Sequence, residues 1–561
     1  MTQWTSLCAM HRFQSQRLGP RVALRFPEHG LYHDISWDTY RRQADQAAAG
    51  LIDLGIQPGD RVAILSENRF EWLIADHAIL SAGAVDVPLH APLAPAQVAY
   101  QVGHSESRGI VVSSQAQADK VFAVLDDLPL LEFLVSFEPV ESRSDQIRVL
   151  SWDQLRHQLS GEALKATYQE VQRREAHLNT ESLATIIYTS GTTGHPKGVM
   201  LTHGNLLCNA ASTCEISFIT IEDTLLSWLP YSHIYARCVD HYLTSIAGVT
   251  VALAESVDTL MSNLSEIQPH WLTSVPRVYE KVWNSVATLD EDTRNAALHT
   301  VFGPRIKQLT SGGAPLPRQI AEGFFAAGLP LLEGYGLTES SPVISFNSVE
   351  QYRIGSVGKA LNDVDVRIAD DGEILTRGPH VMRGYWKNEE ATNETIEDGW
   401  LKTGDVGRLD EDGFLYITDR KKDLFVTSSG KNIAPAELER ILCRDEYVDQ
   451  AVVYGDGRQF VSALLVPDFA KLQTVADERN VELTSDEEFL TTPELLAFLE
   501  ERVHTVMQQV SQPERVKKFL VLARPFQVSD GELTATLKVR RRHIIARYEE
   551  QLATLYESGG N

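Results

Sequence analysis

The chain has 561 residues, with 51 lysines and arginines against 76 aspartates and glutamates, a formal net charge of −25 and 43% hydrophobic residues. That length supports two or more cores, since single cores stop growing near about 250–300 residues, and the apolar fraction excludes general disorder. The acidic excess excludes a protein that coats nucleic acid, which needs a basic face to displace counterions. The cysteines Cys8, Cys208, Cys214, Cys238 and Cys443 are scattered without a CxxC spacing. Neither a disulfide framework nor a zinc site is indicated, and a reducing compartment, the cytoplasm, is expected.

Residues Met1 to Arg17 contain no apolar core ahead of a small-residue cleavage site, so no secretory signal is read there. The uncharged stretches Val87 to Ser105 and His241 to Ala254 are too short, or too broken by Pro, His, Gly and Thr, to span a bilayer. The chain is expected not to cross a membrane, which leaves peripheral contact with one open.

In chain order, Trp37 to Leu54 has apolar residues at helical spacing and stops at Gly55, which predicts a helix. After the turn Gln57-Pro-Gly-Asp60, Arg61 to Leu65 is a short buried-strand run. Glu71 to Ala82 reads as a second helix, and Ala84 to Pro88 and Gly109 to Ser113 read as strands. Strand, helix, strand with short connections predicts an α/β protein with doubly wound, mostly parallel sheets. From Gln351 to Thr418 the character changes. Short β-rich runs, Asp365 to Ala369 and Gly413 to Thr418, are punctuated by Gly and Asp-Gly turns and predict a β subdomain over about 351–418. Pro435 to Leu442 predicts a helix opened by proline, with glutamates near its positive end. The runs Gln450 to Tyr454 and Val461 to Val466, and a helical stretch around Asp486 to Val510, complete a separate, small α+β domain. The expected division is 1–420 and 421–561, with the boundary near Arg420.

The densest chemical signal runs from Thr185 to Val199. A buried strand leads into a loop of Ser, Gly and Thr whose backbone N–H and hydroxyl groups can surround a polyphosphate, with the charge of Lys197 at its rim. It is not a Walker A loop, because Pro196 stands where that motif needs glycine and no Ser or Thr follows the lysine. The segment Tyr188-Thr-Ser-Gly-Thr-Thr-Gly-His-Pro-Lys-Gly198 resembles the phosphate-binding signature of the adenylate-forming superfamily, which includes acyl-CoA synthetases, peptide-synthetase adenylation domains and luciferases. The resemblance extends from about Ile35 to Arg542, with further motifs in the expected order. It implies that Thr189, Ser190, Gly191, Thr192, Thr193, Gly194 and Lys197 bind ATP.

In Glu333-Gly-Tyr-Gly-Leu-Thr-Glu339 the resemblance implies that Tyr335 stacks on adenine beside Gly336, Thr338 contacts the α-phosphate and Glu339 ligates Mg²⁺. The chemistry is sound unaided, since a hard cation takes oxygen ligands and bridges phosphate oxygens. Ser311-Gly-Gly-Ala-Pro315 resembles the adenine-side turn, in which Gly312, Gly313 and Ala314 let the backbone approach the base. Asp398 to Lys422 looks like the signature of fatty acyl-CoA synthetases, with Asp405 receiving the ribose hydroxyls, Arg420 contacting ribose and phosphate, and Lys422 at the interdomain hinge. In Gly531 to Arg540, Lys538 matches the mobile catalytic lysine, which would stabilise charge building on the α-phosphate. The usual proline between the two threonines is Ala535 here. Ser428 to Pro435, with Ser429, Gly430 and Lys431, resembles the segment that lines the CoA tunnel, and no base for the thiol is evident.

Leu229-Pro-Tyr-Ser-His-Ile-Tyr-Ala-Arg237 matches the segment in which His233 flanks the acyl carboxylate. Together these motifs imply an AMP-forming fatty acid:CoA ligase that uses ATP, Mg²⁺ and CoA through a mobile C-terminal domain. The signature segment and Tyr454 to Leu464 lean toward long chains. The alternatives are an acyl-AMP ligase that loads a carrier protein and a non-catalytic nucleotide- or lipid-binding relative. No nucleic acid partner is expected, and a homodimer is left open. Between Glu514 and Arg547 nine Lys/Arg face three Asp/Glu, a strip that suits ATP and CoA phosphates or an anionic membrane surface.

Overall fold

A computed structural model describes residues 4–189, 196–421, 425–426, 432–433, 435–479, 481, 492–534 and 539–557. They form two compact units, one of Met1–Arg367, Leu375–Thr403 and Glu411–Leu415, the other of Ile368–Ile374, Gly404–Asp410 and Tyr416–Asn561. The chain passes from one unit to the other inside the strands Glu373–Arg377 and Trp400–Leu409.

The first unit holds two large mixed sheets, of eight and nine strands. In the eight-stranded sheet Leu183–Thr189, Val85–Leu89, Arg61–Leu65, Ser107–Val112, Phe133–Ser136 and Arg148–Ser151 run parallel, while Lys197–Thr202 and Gly384–Tyr385 add antiparallel at one edge. In the nine-stranded sheet the parallel core includes Thr224–Ser227, Trp271–Ser274, Gln308–Ser311 and Leu331–Gly336. An antiparallel hairpin, Val22–Glu28 with Leu31–Ser36, closes one edge. The predicted strand Arg61 to Leu65 and helix Trp37 to Leu54 appear as Arg61–Leu65 and Trp37–Asp53, the helix capped by Ser36 Oγ. The first helix, Leu7–Leu18, and the edge hairpin carry weak patterns and were not read from the sequence.

The helix Phe70–Ser81 is buried along nearly its whole length. A helix apolar all round belongs inside a layered core, and this one carries Asp76 and His77 into it. From Arg237 to Leu243 the backbone widens into a π-helical stretch, a form that gathers at functional places.

In the second unit, the helix Pro435–Leu442 packs with a sheet of Val448–Tyr454, Val461–Pro467 and Val516–Val521. The middle strand is buried at every residue, as expected where both faces are covered. Of the helical stretch expected around Asp486 to Val510, Pro493–Val506 is helical, and the part before Thr492 lies outside the described residues. Among the described residues no helix is long and apolar enough to cross a membrane.

Candidate functional site

The residues expected to meet phosphate are set by strand pairing. Thr189 and Lys197 stand opposite each other at the ends of two antiparallel strands. Ser190, Gly191, Thr192, Thr193 and Gly194, which join them, lie outside the described residues. Beyond Lys197, the strand Gly384–Tyr385 pairs through Tyr385 with Val199. Lys197 Nζ lies 4.8 Å from the centroid of the Tyr385 ring, and the Tyr385 hydroxyl donates to Glu339 Oε1 at 2.9 Å. Glu339 is set in the short turn Thr338–Ser340, where its carbonyl accepts from Met382 N–H at 2.9 Å. Among the described residues neither Lys197 nor Glu339 joins an ion pair, and Glu339 Oε2 has no hydrogen-bond partner.

The residues expected to meet adenine follow two neighbouring parallel strands, in which Ser311 pairs with Glu333. Gly312, Gly313 and Ala314 leave the end of one, while Tyr335 and Gly336 end the other. A Cβ on Gly336 would stand 1.7 Å from the Pro342 carbonyl oxygen, and one on Gly312 would stand 2.9 Å from the Tyr235 ring. Side chains at these positions would push the backbone out of place. Tyr335 and Thr338 are buried.

His233, expected to flank the acyl carboxylate, caps the helix Ile234–Ala236, its Nδ1 accepting from Tyr235 N–H at 3.2 Å. Sequence reasoning missed its neighbour. His90, the first residue after the strand Val85–Leu89, has Nδ1 2.7 Å from Ser232 Oγ and its ring centroid 6.5 Å from that of His233. Burial pushes the His90 imidazole down to about 4, so it is neutral at pH 7. His90, Thr189 and the Gly312 turn all lie at carboxyl ends of strands, where open α/β sheets place their ligands.

Beneath this edge lies a closed polar cluster that the sequence also did not reveal. Arg237, fully buried, ion-pairs with Asp76 and with Asp86 Oδ2 at 2.6 Å, and donates from Nη1 to Thr185 Oγ1 at 2.7 Å. Its Nε donates to Tyr242 Oη at 3.0 Å, and that hydroxyl donates to Asp76 Oδ2 at 2.8 Å. His241 Nε2 stands 3.0 Å from the same oxygen. Burial opposes charge on both acids. Arg237 and then His241 overcome it at Asp76, whose carboxyl is held well below the usual range. At Asp86 burial wins, reinforced by Asp76, and the carboxyl stays well above its usual range. The available signal was a charge standing inside an apolar run, at Asp76, Asp86 and Arg237 alike, since such charges must be paired.

In the second unit, Asp405 is buried on the strand Trp400–Leu409 and accepts from Arg420 Nε at 2.8 Å. The neighbouring Lys421 is clamped by Asp371 Oδ2 at 2.5 Å and Glu373 Oε2 at 2.8 Å. Lys422, Ser429, Gly430, Lys431 and Lys538 lie outside the described residues.

Residues 12–386 match the AMP-binding enzyme family and residues 422–559 match the AMP-binding enzyme C-terminal domain. The chain is 34% identical to a long-chain-fatty-acid–CoA ligase of Mycobacterium tuberculosis, over 94% of this chain and 93% of that one. It is 31% identical to a peroxisomal long-chain acyl-CoA synthetase of Arabidopsis thaliana, over 98% and 85% of the two chains. The structure of O-succinylbenzoate coenzyme A synthetase from Bacillus subtilis, in complex with ATP and magnesium ion, superposes with a TM-score of 0.71 at 26% identity, covering 95% of this chain and 98% of that one.

Proposed function

Because this chain belongs to the AMP-binding enzyme family, as an AMP-forming acyl-CoA synthetase, we propose that it activates long-chain fatty acids in two steps at one site. In the first step the fatty acid carboxylate attacks the α-phosphorus of ATP and expels pyrophosphate, giving acyl-AMP. In the second the CoA thiol displaces AMP, leaving the thioester and one proton. The observation that carries this reading is the meeting of Lys197 and Glu339 on one tyrosine at the edge of the first unit's sheets.

Lys197 supplies a cation for the outgoing pyrophosphate. Gly312, Gly313 and Ala314 are assigned to the adenine, with Tyr335 at the end of the adjacent strand. His233 is assigned to the acyl carboxylate, and its neutral neighbour His90, with its ring centroid 6.5 Å away, to the same side. Magnesium suits Glu339, whose carboxylate is a hard oxygen donor with one oxygen left open toward the site. When bound there the ion would neutralise phosphate charge. Asp405 is assigned to the ribose hydroxyls and Arg420 to ribose and phosphate, with Lys422 as hinge and Ser429 to Lys431 toward CoA. The basic strip supports phosphate binding only in part, because Arg524 and Arg547 are engaged by Asp530 and Glu532, and Arg541 by Glu439. Lys517, Arg540 and Arg542 are exposed and suit CoA phosphates or an anionic membrane surface.

The test is AMP and pyrophosphate release across acids of several chain lengths, with and without CoA. Thioester formation that needs both ATP and CoA, and that rises with chain length, is expected. Acyl transfer to a carrier protein but not to CoA would replace this reading with the acyl-AMP ligase. Lys538→Ala should abolish most adenylation yet leave thioester formation from supplied acyl-AMP intact. Equal loss in both half-reactions would remove Lys538 from its assigned role.

A further inference from the structure

Opposite charges that share a site normally collapse onto each other, and a lysine paired with a carboxylate neither grips a phosphate nor binds a metal at full strength. Lys197 and Glu339 share the Tyr385 side chain without pairing. The ring face takes the ammonium at 4.8 Å and the hydroxyl takes one carboxylate oxygen at 2.9 Å. Tyr385 is itself fixed. It is 7% exposed, its backbone N–H donates to Thr392 Oγ1 at 2.9 Å, and its strand is zipped to the strand that Lys197 begins. The backbone of Glu339 is tied to the same segment through Met382.

We infer that Tyr385 is a positioning residue of the phosphate and metal site: its hydroxyl aims the Glu339 carboxylate for a divalent cation, while its ring holds Lys197 off that carboxylate and available to polyphosphate. A hydrogen bond from a neighbouring group fixes the orientation of a metal-binding carboxylate, and losing such a partner weakens metal binding by about 10–100-fold.

The inference rests on the assignment of Glu339 to the metal, so the experiment separates the two. Mn²⁺ binding to the enzyme–ATP complex, without fatty acid, is measured by electron paramagnetic resonance for wild type, Glu339→Gln, Tyr385→Phe and Tyr385→Leu. Metal-free ATP affinity and thermal melting are followed alongside. Tyr385→Phe, which keeps the ring, should weaken Mn²⁺ by about tenfold while metal-free ATP affinity and melting stay near wild type. Tyr385→Leu should weaken both Mn²⁺ and metal-free ATP, because Lys197 then falls onto Glu339. If Glu339→Gln weakens Mn²⁺ and Tyr385→Phe stays within about twofold of wild type, well short of the loss expected for an orienting partner, the role given to Tyr385 is overturned. If Glu339→Gln leaves Mn²⁺ binding unchanged, the metal assignment fails and the inference fails with it.

Discussion

Two clusters in the first unit use the same ingredients to opposite ends. In the interior, Arg237, Asp76, Asp86 and Tyr242 contact one another directly and are sealed from water. At the edge of the sheets, Lys197, Glu339 and Tyr385 keep cation and anion on separate parts of one ring. The interior cluster pairs its charges with one another and ties strands and helices together. The edge cluster has left charge available for something that arrives. Sealed, direct pairing marks a structural role, whereas opposite charges that stay unpaired among the described residues fit the binding role proposed for the edge cluster.

The largest expected effect breaks the interior cluster. Arg237→Met leaves Asp76 buried beside Asp86 without its cation, and removing one partner of a buried pair costs about 3–5 kcal/mol. The double variant Arg237→Met/Asp76→Leu removes the stranded charge and should be more stable than Arg237→Met alone. Urea unfolding measures both. A double variant less stable than the single would show that packing around Arg237, and not charge, dominates.

A smaller effect sharpens the comparison with a buried acid that has no cation. Asp240 accepts from Ser227 Oγ at 2.8 Å, and burial pushes it up to about 7. An unfolded aspartate titrates near about 3.9, so between that value and about 7 the folded state keeps a proton that the unfolded state has lost. The unfolded state thus binds fewer protons, and this residue makes stability fall as pH rises through that window and level off above it. Asp240→Asn, neutral throughout, should lose less stability than wild type between pH 5 and 8. Parallel pH profiles would show that Asp240 is ionised in the folded protein.

Much of the fold was legible because hydrophobic period and turn residues are local. Val62 to Leu65 is a continuous apolar run after Arg61 and Pro435 to Leu442 opens on a proline, and both elements appear where expected. The edge hairpin Val22–Glu28 with Leu31–Ser36 was not, since its second strand is mostly exposed and its pattern is polar. At the site, motif glycines and charges announced Gly312, Gly336, Lys197 and Glu339. Tyr385 and His90 did not announce themselves. Their importance lies in contacts with residues 46 or more positions away in the chain, and a single tyrosine or histidine carries no spacing from which such contacts can be read. The Arg237 cluster lay between. Its charges were visible as intruders in apolar runs, but their pairing joins the helix Phe70–Ser81, the strands Val85–Leu89 and Leu183–Thr189 and the π-helical stretch, and only the fold brings these together.

The smallest expected effect uses one substitution in both clusters. Tyr242→Phe deletes the hydroxyl that donates to Asp76 and accepts from Arg237, both buried and charged, and hydrogen bonds to charged groups contribute about 1.5–3 kcal/mol. The ring still packs, so the loss should sit near about 2 kcal/mol in urea unfolding, with Mn²⁺ and ATP binding unaltered. The same deletion at Tyr385 removes a bond to a carboxylate that water or an incoming cation can reach, so its unfolding midpoint should barely move while metal binding weakens. Two phenylalanine variants with crossed outcomes, one in stability and the other in metal affinity, would establish that the clusters differ in function as they differ in contact. Equal losses of stability would mean that the Tyr385 hydroxyl is structural, and that the charges at the edge are held apart by something other than this ring.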